Sequence, residues 1–240
     1  MVRIADTTVL ITGGNRGIGR ALVEEALSRG AKRVYVGTRA QLTHRDHRVT
    51  PLTLDVTNAA HIQDAADEVE SLDILVNNAG LALYDDLSER VALERHLAVN
   101  LFGTYAMIQA FLPMLTRSGG AIVNNLSVNA IAPLPLIPAY SISKAAAFNL
   151  TQSLRALLAG RGVSVHAVLT GPVDTEMTQG LEIPKSSPES VARAIFDGVA
   201  NGEEDIFPDA MSKSVAGSWN TGAAKALERQ YAALLADVTD

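Results

Sequence analysis

The chain of 240 residues contains no cysteine. Disulfides and thiolate metal sites are thereby excluded, and the composition is compatible with a reducing compartment. Positive charge is not in excess either. Lys and Arg number 20 against 26 Asp and Glu, a net charge of −6, and the basic residues are scattered. That pattern leaves no electrostatic footprint for nucleic acid. No unbroken apolar run approaches the ~18 residues of a membrane-spanning helix. The start, Met1 to Asp6, turns directly into a strand-like run without the charged and apolar regions of a signal peptide. The expectation is a soluble, cytoplasmic protein with no metal. What is present is ordinary for a globular chain: 48% hydrophobic residues, and length enough for one domain with a sizeable core.

Thr8 to Ile11 is a short apolar, β-branched run that reads as a buried strand. It leads at once into Thr12-Gly13-Gly14-Asn15-Arg16-Gly17-Ile18-Gly19 and then a helical pattern from Ala21 to Leu27. Strand, glycine turn and helix in that order make a dinucleotide-binding unit, in which glycines let backbone approach a pyrophosphate and the helix N-terminus supplies donors. Gly13, Asn15, Arg16, Gly17, Ile18 and Gly19 are the candidate contacts. A second strand, Val34 to Gly37, ends at Thr38-Arg39. An acidic residue near this point serves NAD, whereas arginine accommodates a 2′-phosphate. No carboxylate lies between Val34 and Arg45, so Arg16 and Arg39 together favour NADP(H); the alternative is two solvated surface arginines. The short segment from Ala40 to Thr50 predicts a shortened or missing helix.

Further strands read at Leu52 to Leu54, Asp73 to Val76, Ala121 to Ser127 and Val163 to Leu169, with a helix from Asn58 to Val69 and a long one from Ser88 to Leu115. Strands alternating with helices predict a doubly wound parallel sheet, an α/β/α Rossmann-type fold with ligands at the carboxyl ends of the strands. Asp55 and Val56 stand at one such end, suited to an adenine edge, and Asn78-Ala79-Gly80 at another, close to a ribose. His166, inside a strand, reads as packed rather than catalytic.

Tyr140 and Lys144 are four residues apart after a proline-rich break (Pro133, Pro135, Pro138), so a helix puts phenol and ammonium on one face. A nearby cation lowers a tyrosine's usual pKa of about 10 and suits it to general acid–base work. Ser127 is placed to hold a substrate oxygen. Tyr-x-x-x-Lys alone is a weak signal.

The whole set is stronger. Thr12-Gly13-x-x-x-Gly17-x-Gly19, Asn77-Asn78-Ala79-Gly80, Asn100, Ser127, Tyr140-x-x-x-Lys144 and Gly171-x-Val173-x-Thr175 occur in one order. In these residues the chain resembles the short-chain dehydrogenase/reductase family, in its compact single-domain branch, over residues 6 to 200. The resemblance implies a sheet of about seven strands and one nicotinamide cofactor. It implies that Tyr140 is the acid/base, that Ser127 orients the carbonyl or alcohol oxygen and that Asn100 holds a water in a proton relay. Lys144 would contact the ribose and lower the tyrosine pKa. Gly171 would contact the cofactor, and Val173 and Thr175 would position the carboxamide. Thr170 departs from the family's usual proline, Leu126 from a frequent serine, and the C-terminal region lacks the common Asp-Gly-Gly ending.

The segments expected around the substrate, Leu81 to Tyr84, Val128 to Pro138 and Glu176 to Ser187, are largely apolar. They suit a neutral, fairly hydrophobic ketone, aldehyde or secondary alcohol, or else they pack among themselves or against a neighbouring subunit. Residues 205–240 read as a strand and a helical extension. From Thr221 to Ala236, residues Ala224, Leu227, Tyr231, Leu234 and Leu235 form one apolar face, for packing on its own domain or across an interface. A homodimer or homotetramer is expected from the family. The competing readings are an NAD-dependent alcohol dehydrogenase and a non-catalytic NADP(H)-binding sensor.

Overall fold

Residues 3–236 are described in a computed structural model. The strands are β1 (Thr8–Thr12), β2 (Arg33–Thr38), β3 (Val49–Thr53), β4 (Ile74–Asn77), β5 (Ala121–Asn125), β6 (Ser164–Val168) and β7 (Asp205–Ile206). They form one seven-stranded, wholly parallel sheet in the order β3-β2-β1-β4-β5-β6-β7. The order reverses direction between β1 and β4, with Val9 opposite both Val34 and Ile74, and the crevice of such a sheet lies at that reversal.

Side chains alternate across a strand, and the sheet is buried on both faces. Val9 and Ile11 point to one side, where α1 (Gly17–Ser28) and α6 (Pro188–Asn201) supply Leu22, Val23, Ile195 and Phe196. Leu10, Leu75 and Ile122 point to the other. There α2 (Ala59–Glu68), α4 (Thr104–Ser118) and α5 (Pro138–Leu158) bring Ile62, Met107, Phe111, Leu115 and Leu154. The result is the three-layer α/β/α Rossmann-type arrangement expected.

Several boundaries differ from the sequence reading. β3 begins at Val49 rather than Leu52, whereas the absence of a helix between β2 and β3 agrees with the short segment read there. Arg48 explains how so short a crossover is held: Nη1 donates to Leu27 O (3.2 Å) and Ala31 O (3.3 Å) at the end of α1, and Nη2 to Asp46 (2.7 Å). The long helix runs from Arg90 to Ser118 as α3 (Arg90–Leu97), a π-helical turn (Ala98–Gly103) and α4. It has the length and apolarity of a membrane span, but Met107, Ile108, Phe111 and Leu115 are buried in the core beneath the sheet. β5 stops at Asn125, and Ser127 instead caps a short 3₁₀ turn, Val128–Ala130.

The C-terminal extension is two helices, α7 (Ala210–Thr221) and α8 (Ala223–Ala236). α8 docks by a face beside its apolar one, the face that carries Lys225 and Glu228. Lys225, 1% exposed, bridges Glu204 (2.9 Å), Asp205 (2.7 Å) and Glu228 (3.0 Å), while Arg155 of α5 pairs with Asp205 (2.8 Å) and Glu228. Leu227, Tyr231 and Leu234 consequently face outward, and the side chain of Leu235 lies outside the described part. Trp219 packs on its own domain, 5.3 Å from the Phe148 ring, with Nε1 donating to Asp205 (2.8 Å).

Candidate active site

The glycine turn after β1 is shaped by contacts that leave no room for side chains. A Cβ on Gly19 would lie 2.1 Å from Gly13 O, and one on Gly17, at φ 52°, would lie 3.2 Å from Thr175 Cγ2. The turn therefore opens α1 while touching the loop after β6. Gly13 lies against Ala79, whose Cα would be 3.1 Å from a Cβ there. Asn15 and Arg16 are exposed, and Ile18 is half-buried against the core on the α1 side of the sheet.

A belt of hydrogen bonds crosses the carboxyl ends of β1, β4, β5 and β6. Thr12 Oγ1 accepts from Asn78 N (3.0 Å) and Ala79 N (2.9 Å), and Asn78 Nδ2 donates to Thr12 O (3.0 Å) and Gly13 O (3.2 Å). Asn125 Nδ2 donates to Asn78 Oδ1 (3.0 Å), and Thr170 Oγ1 donates to Asn125 Oδ1 (2.8 Å). Thr170, the departure from proline, is thus the last link of the belt. Neither Thr12 nor Asn125 was singled out as a site residue; Thr12 lay inside the glycine motif, and Asn125 gave no local signal.

Tyr140, Lys144, Ser127 and Asn100 are all buried around the same corner. Lys144 Nζ lies 5.6 Å from the Tyr140 ring centroid and donates to Asn125 O (2.8 Å). A Cβ on Gly80 would be 3.8 Å from that ammonium and 3.5 Å from Asn100 Oδ1. Asn100 lies in the π-helical turn. Its Oδ1 accepts from Leu81 N (2.9 Å), and both Nδ2 hydrogens are spent, on Leu81 O (2.9 Å) and Ser143 Oγ (2.8 Å). The amide therefore staples the loop after β4 to α5. His96, also unforeseen, packs edge-on to Tyr140 at 6.3 Å while Nε2 accepts from Leu83 N (3.0 Å).

The expected depression of the tyrosine pKa is corrected by the packing. Burial pushes the Tyr140 phenol up to about 12, with the Ser127 hydroxyl pulling the other way, and burial brings the Lys144 ammonium down to about 8. Both charged forms lose their water, and at 5.6 Å from the ring the cation does not offset that loss.

The two arginines meet different carboxylates. Arg16 pairs with Glu176, beyond Thr175 in the loop after β6. Arg39, exposed beside buried Thr38, helps Thr57 hold the Asp55 carboxyl below its ordinary value; Thr57 Oγ1 donates to Asp55 Oδ1 at 2.7 Å. Val56 is buried against Gly103, and Val173 is buried in the core cluster that α1 and α6 share. His166 is packed as read, with Nδ1 2.6 Å from Glu203 O. Among the described residues no group of three or more metal-ligating side chains occurs.

A parallel sheet of this order, a glycine cradle at its switch point and a buried Ser, Tyr and Lys at the strand ends define a dinucleotide-dependent oxidoreductase class. The short chain dehydrogenase family model matches residues 7–185, and the chain belongs to that family. Among its relatives is 2-(S)-hydroxypropyl-CoM dehydrogenase 3 of Xanthobacter autotrophicus, 37% identical over 209 residues, 80% of this chain and 82% of that protein. The probable galactose dehydrogenase GalD of Rhizobium meliloti is 35% identical over 212 residues, 79% of each chain. A short chain dehydrogenase from Burkholderia cenocepacia, solved in complex with NADP, superposes with a TM-score of 0.87 at 35% identity, covering 95% of this chain and 98% of that one.

Proposed function

We propose that the protein is an NADP(H)-dependent reductase of neutral, fairly hydrophobic ketones or aldehydes, running in reverse on the corresponding secondary alcohols. The observation that carries this reading is the convergence of Tyr140, Lys144 and Ser127 beside a glycine cradle that has no room for a side chain at Gly19. The cradle fits a dinucleotide: backbone can approach a pyrophosphate there, and Arg16 and Arg39 supply cations for a 2′-phosphate. NADP in the Burkholderia relative supports the same choice. The bound cofactor supplies the hydride.

The rest falls to this chain's own residues. Ser127 holds the carbonyl oxygen, and Tyr140 gives that oxygen its proton as the carbon is reduced. Lys144 binds the ribose, and its ammonium stabilises the phenolate left behind; solvent then restores the proton. A phenol pushed up to about 12 is protonated at neutral pH, the form that reduction consumes. Thr170, Gly171, Val173 and Thr175 would hold the nicotinamide carboxamide, and Asp55 with Val56 would meet the adenine. Exposed Ile131, Leu136, Met177 and Ile183 on the two flanking segments support an apolar substrate. The outward Leu227, Tyr231 and Leu234 support a homodimer or homotetramer.

A second reading, NAD(H), draws on one observation: Arg16 is already paired with Glu176. Parallel calorimetric titration with NADPH and NADH decides between them. Preference for NADPH that collapses in the Arg16→Ala, Arg39→Ala double variant supports the first; equal or tighter NADH binding supports the second.

A further inference from the structure

The loop after β6 is gripped by the C-terminal extension at a single carboxylate. Asp209 follows β7 by only three residues, and Phe207 between them is buried with Leu169 and Phe148, which turns the chain back over the end of β6. Asp209 itself is 4% exposed. Its Oδ2 accepts from Gly171 N (2.7 Å) and from Ser212 Oγ (2.9 Å), and its Oδ1 accepts from Ser212 N (3.0 Å). All three donors are uncharged, and two belong to the first turn of α7, which the side chain caps. The fit at Gly171 is tight on the side facing the extension: a Cβ there would lie 2.5 Å from Asp209 Oδ1 and 3.1 Å from Met211 Cβ. One residue earlier, Thr170 is fixed from the opposite side by Asn125.

A helix cap needs only the Ser212 bonds. The bond to Gly171 is a second use of the same carboxylate, directed away from α7 at the backbone of the loop that continues into Val173 and Thr175. We propose that Asp209 is a positioning residue for the nicotinamide end of the cofactor. It holds Gly171 so that the following loop presents its backbone to the carboxamide, and thereby makes the extension part of the cofactor site. The inference rests on the proposed NADP(H) reading and deepens it.

The test separates the two ends of the cofactor. Adenosine 2′,5′-bisphosphate carries the 2′-phosphate but no nicotinamide. In Asp209→Ala, NADPH binding is expected to weaken about tenfold, the loss that one charge-assisted hydrogen bond represents, with affinity for the bisphosphate unchanged. Asp209→Asn keeps the volume and one acceptor oxygen, so it guards against failure to fold and should show a smaller loss of the same kind. Ser212→Ala removes a cap bond without touching Gly171 and should lower the melting temperature while leaving NADPH affinity intact. Equal weakening of NADPH and bisphosphate, or of neither, would overturn the proposal. Failure of the parent protein to bind NADPH at all would overturn the cofactor reading itself, and the proposal with it.

Discussion

At the scale of residues, the buried corner sets two opposed protonation limits. Lys144, brought down to about 8 by burial, keeps its charge at neutral pH and loses it as pH rises past that value. Tyr140, pushed up to about 12, stays protonated throughout. Carbonyl reduction should therefore hold steady below about pH 8 and decline above it, and a pH profile of kcat checks this. In Lys144→Met that alkaline limb should vanish together with most of the activity. The belt gives a second expectation. Thr170→Val removes the donor to Asn125 Oδ1, and leaving a partly buried acceptor unmatched costs about 1–3 kcal/mol, to be read from denaturant unfolding. The pairing of Tyr140 with Lys144 was legible in the sequence because the two stand one helical turn apart, and Ser127 and Asn100 joined them through the family resemblance. Their electrostatics were not, because the depth at which Tyr140 and Lys144 sit is set by α3, the π-helical turn and the loop after β5, all packed against α5.

Among elements, α8 shows where local pattern gives out. Its apolar stripe is plain at helical spacing, yet the helix turns that stripe outward because Lys225 finds Glu204, Asp205 and Glu228 and because Arg155 completes the cluster. Arg155 lies in α5 and Asp205 in β7, so no window of sequence contains the pairing. Burial opposes the charge of Asp205, but Arg155, Lys225 and Trp219 outweigh it and hold its pKa below the ordinary value. A depressed carboxylate contributes stability that is present above its unfolded pKa of about 3.9 and is lost as pH falls through the folded value. The α8 attachment should thus weaken only in acid. Lys225→Ala should cost about 3–5 kcal/mol at neutral pH, since it strands carboxylates, including the buried Asp205, without their cation. Thermal unfolding of the variant checks the size. The strands and the glycine turn, by contrast, were legible in outline, because buried parallel strands are continuous apolar runs and the turn's glycines stand between a strand and a helix adjacent in sequence, although Ala79 and Thr175, which crowd Gly13 and Gly17, come from the loops after β4 and β6. The π-helical turn at Asn100 left no such mark.

For the whole molecule, the sheet order places four strand ends side by side at the switch point, and each contributes a link to one polar belt. The same sheet carries the extension that reaches back to Gly171. The outward face of α8 belongs to this scale also: Tyr231→Lys with Leu234→Lys should lower the particle mass seen by light scattering, whereas an unchanged mass would remove that face from any interface.

The most direct measurement is NADPH consumption over a panel of neutral ketones and aldehydes, made in parallel on the parent protein and Tyr140→Phe, with NADPH binding titrated for both. Tyr140→Phe should bind NADPH as the parent does and lose about 10²–10⁴-fold in turnover, the contribution of a positioned proton donor. Full turnover in the phenylalanine variant would contradict the assignment of the proton to Tyr140.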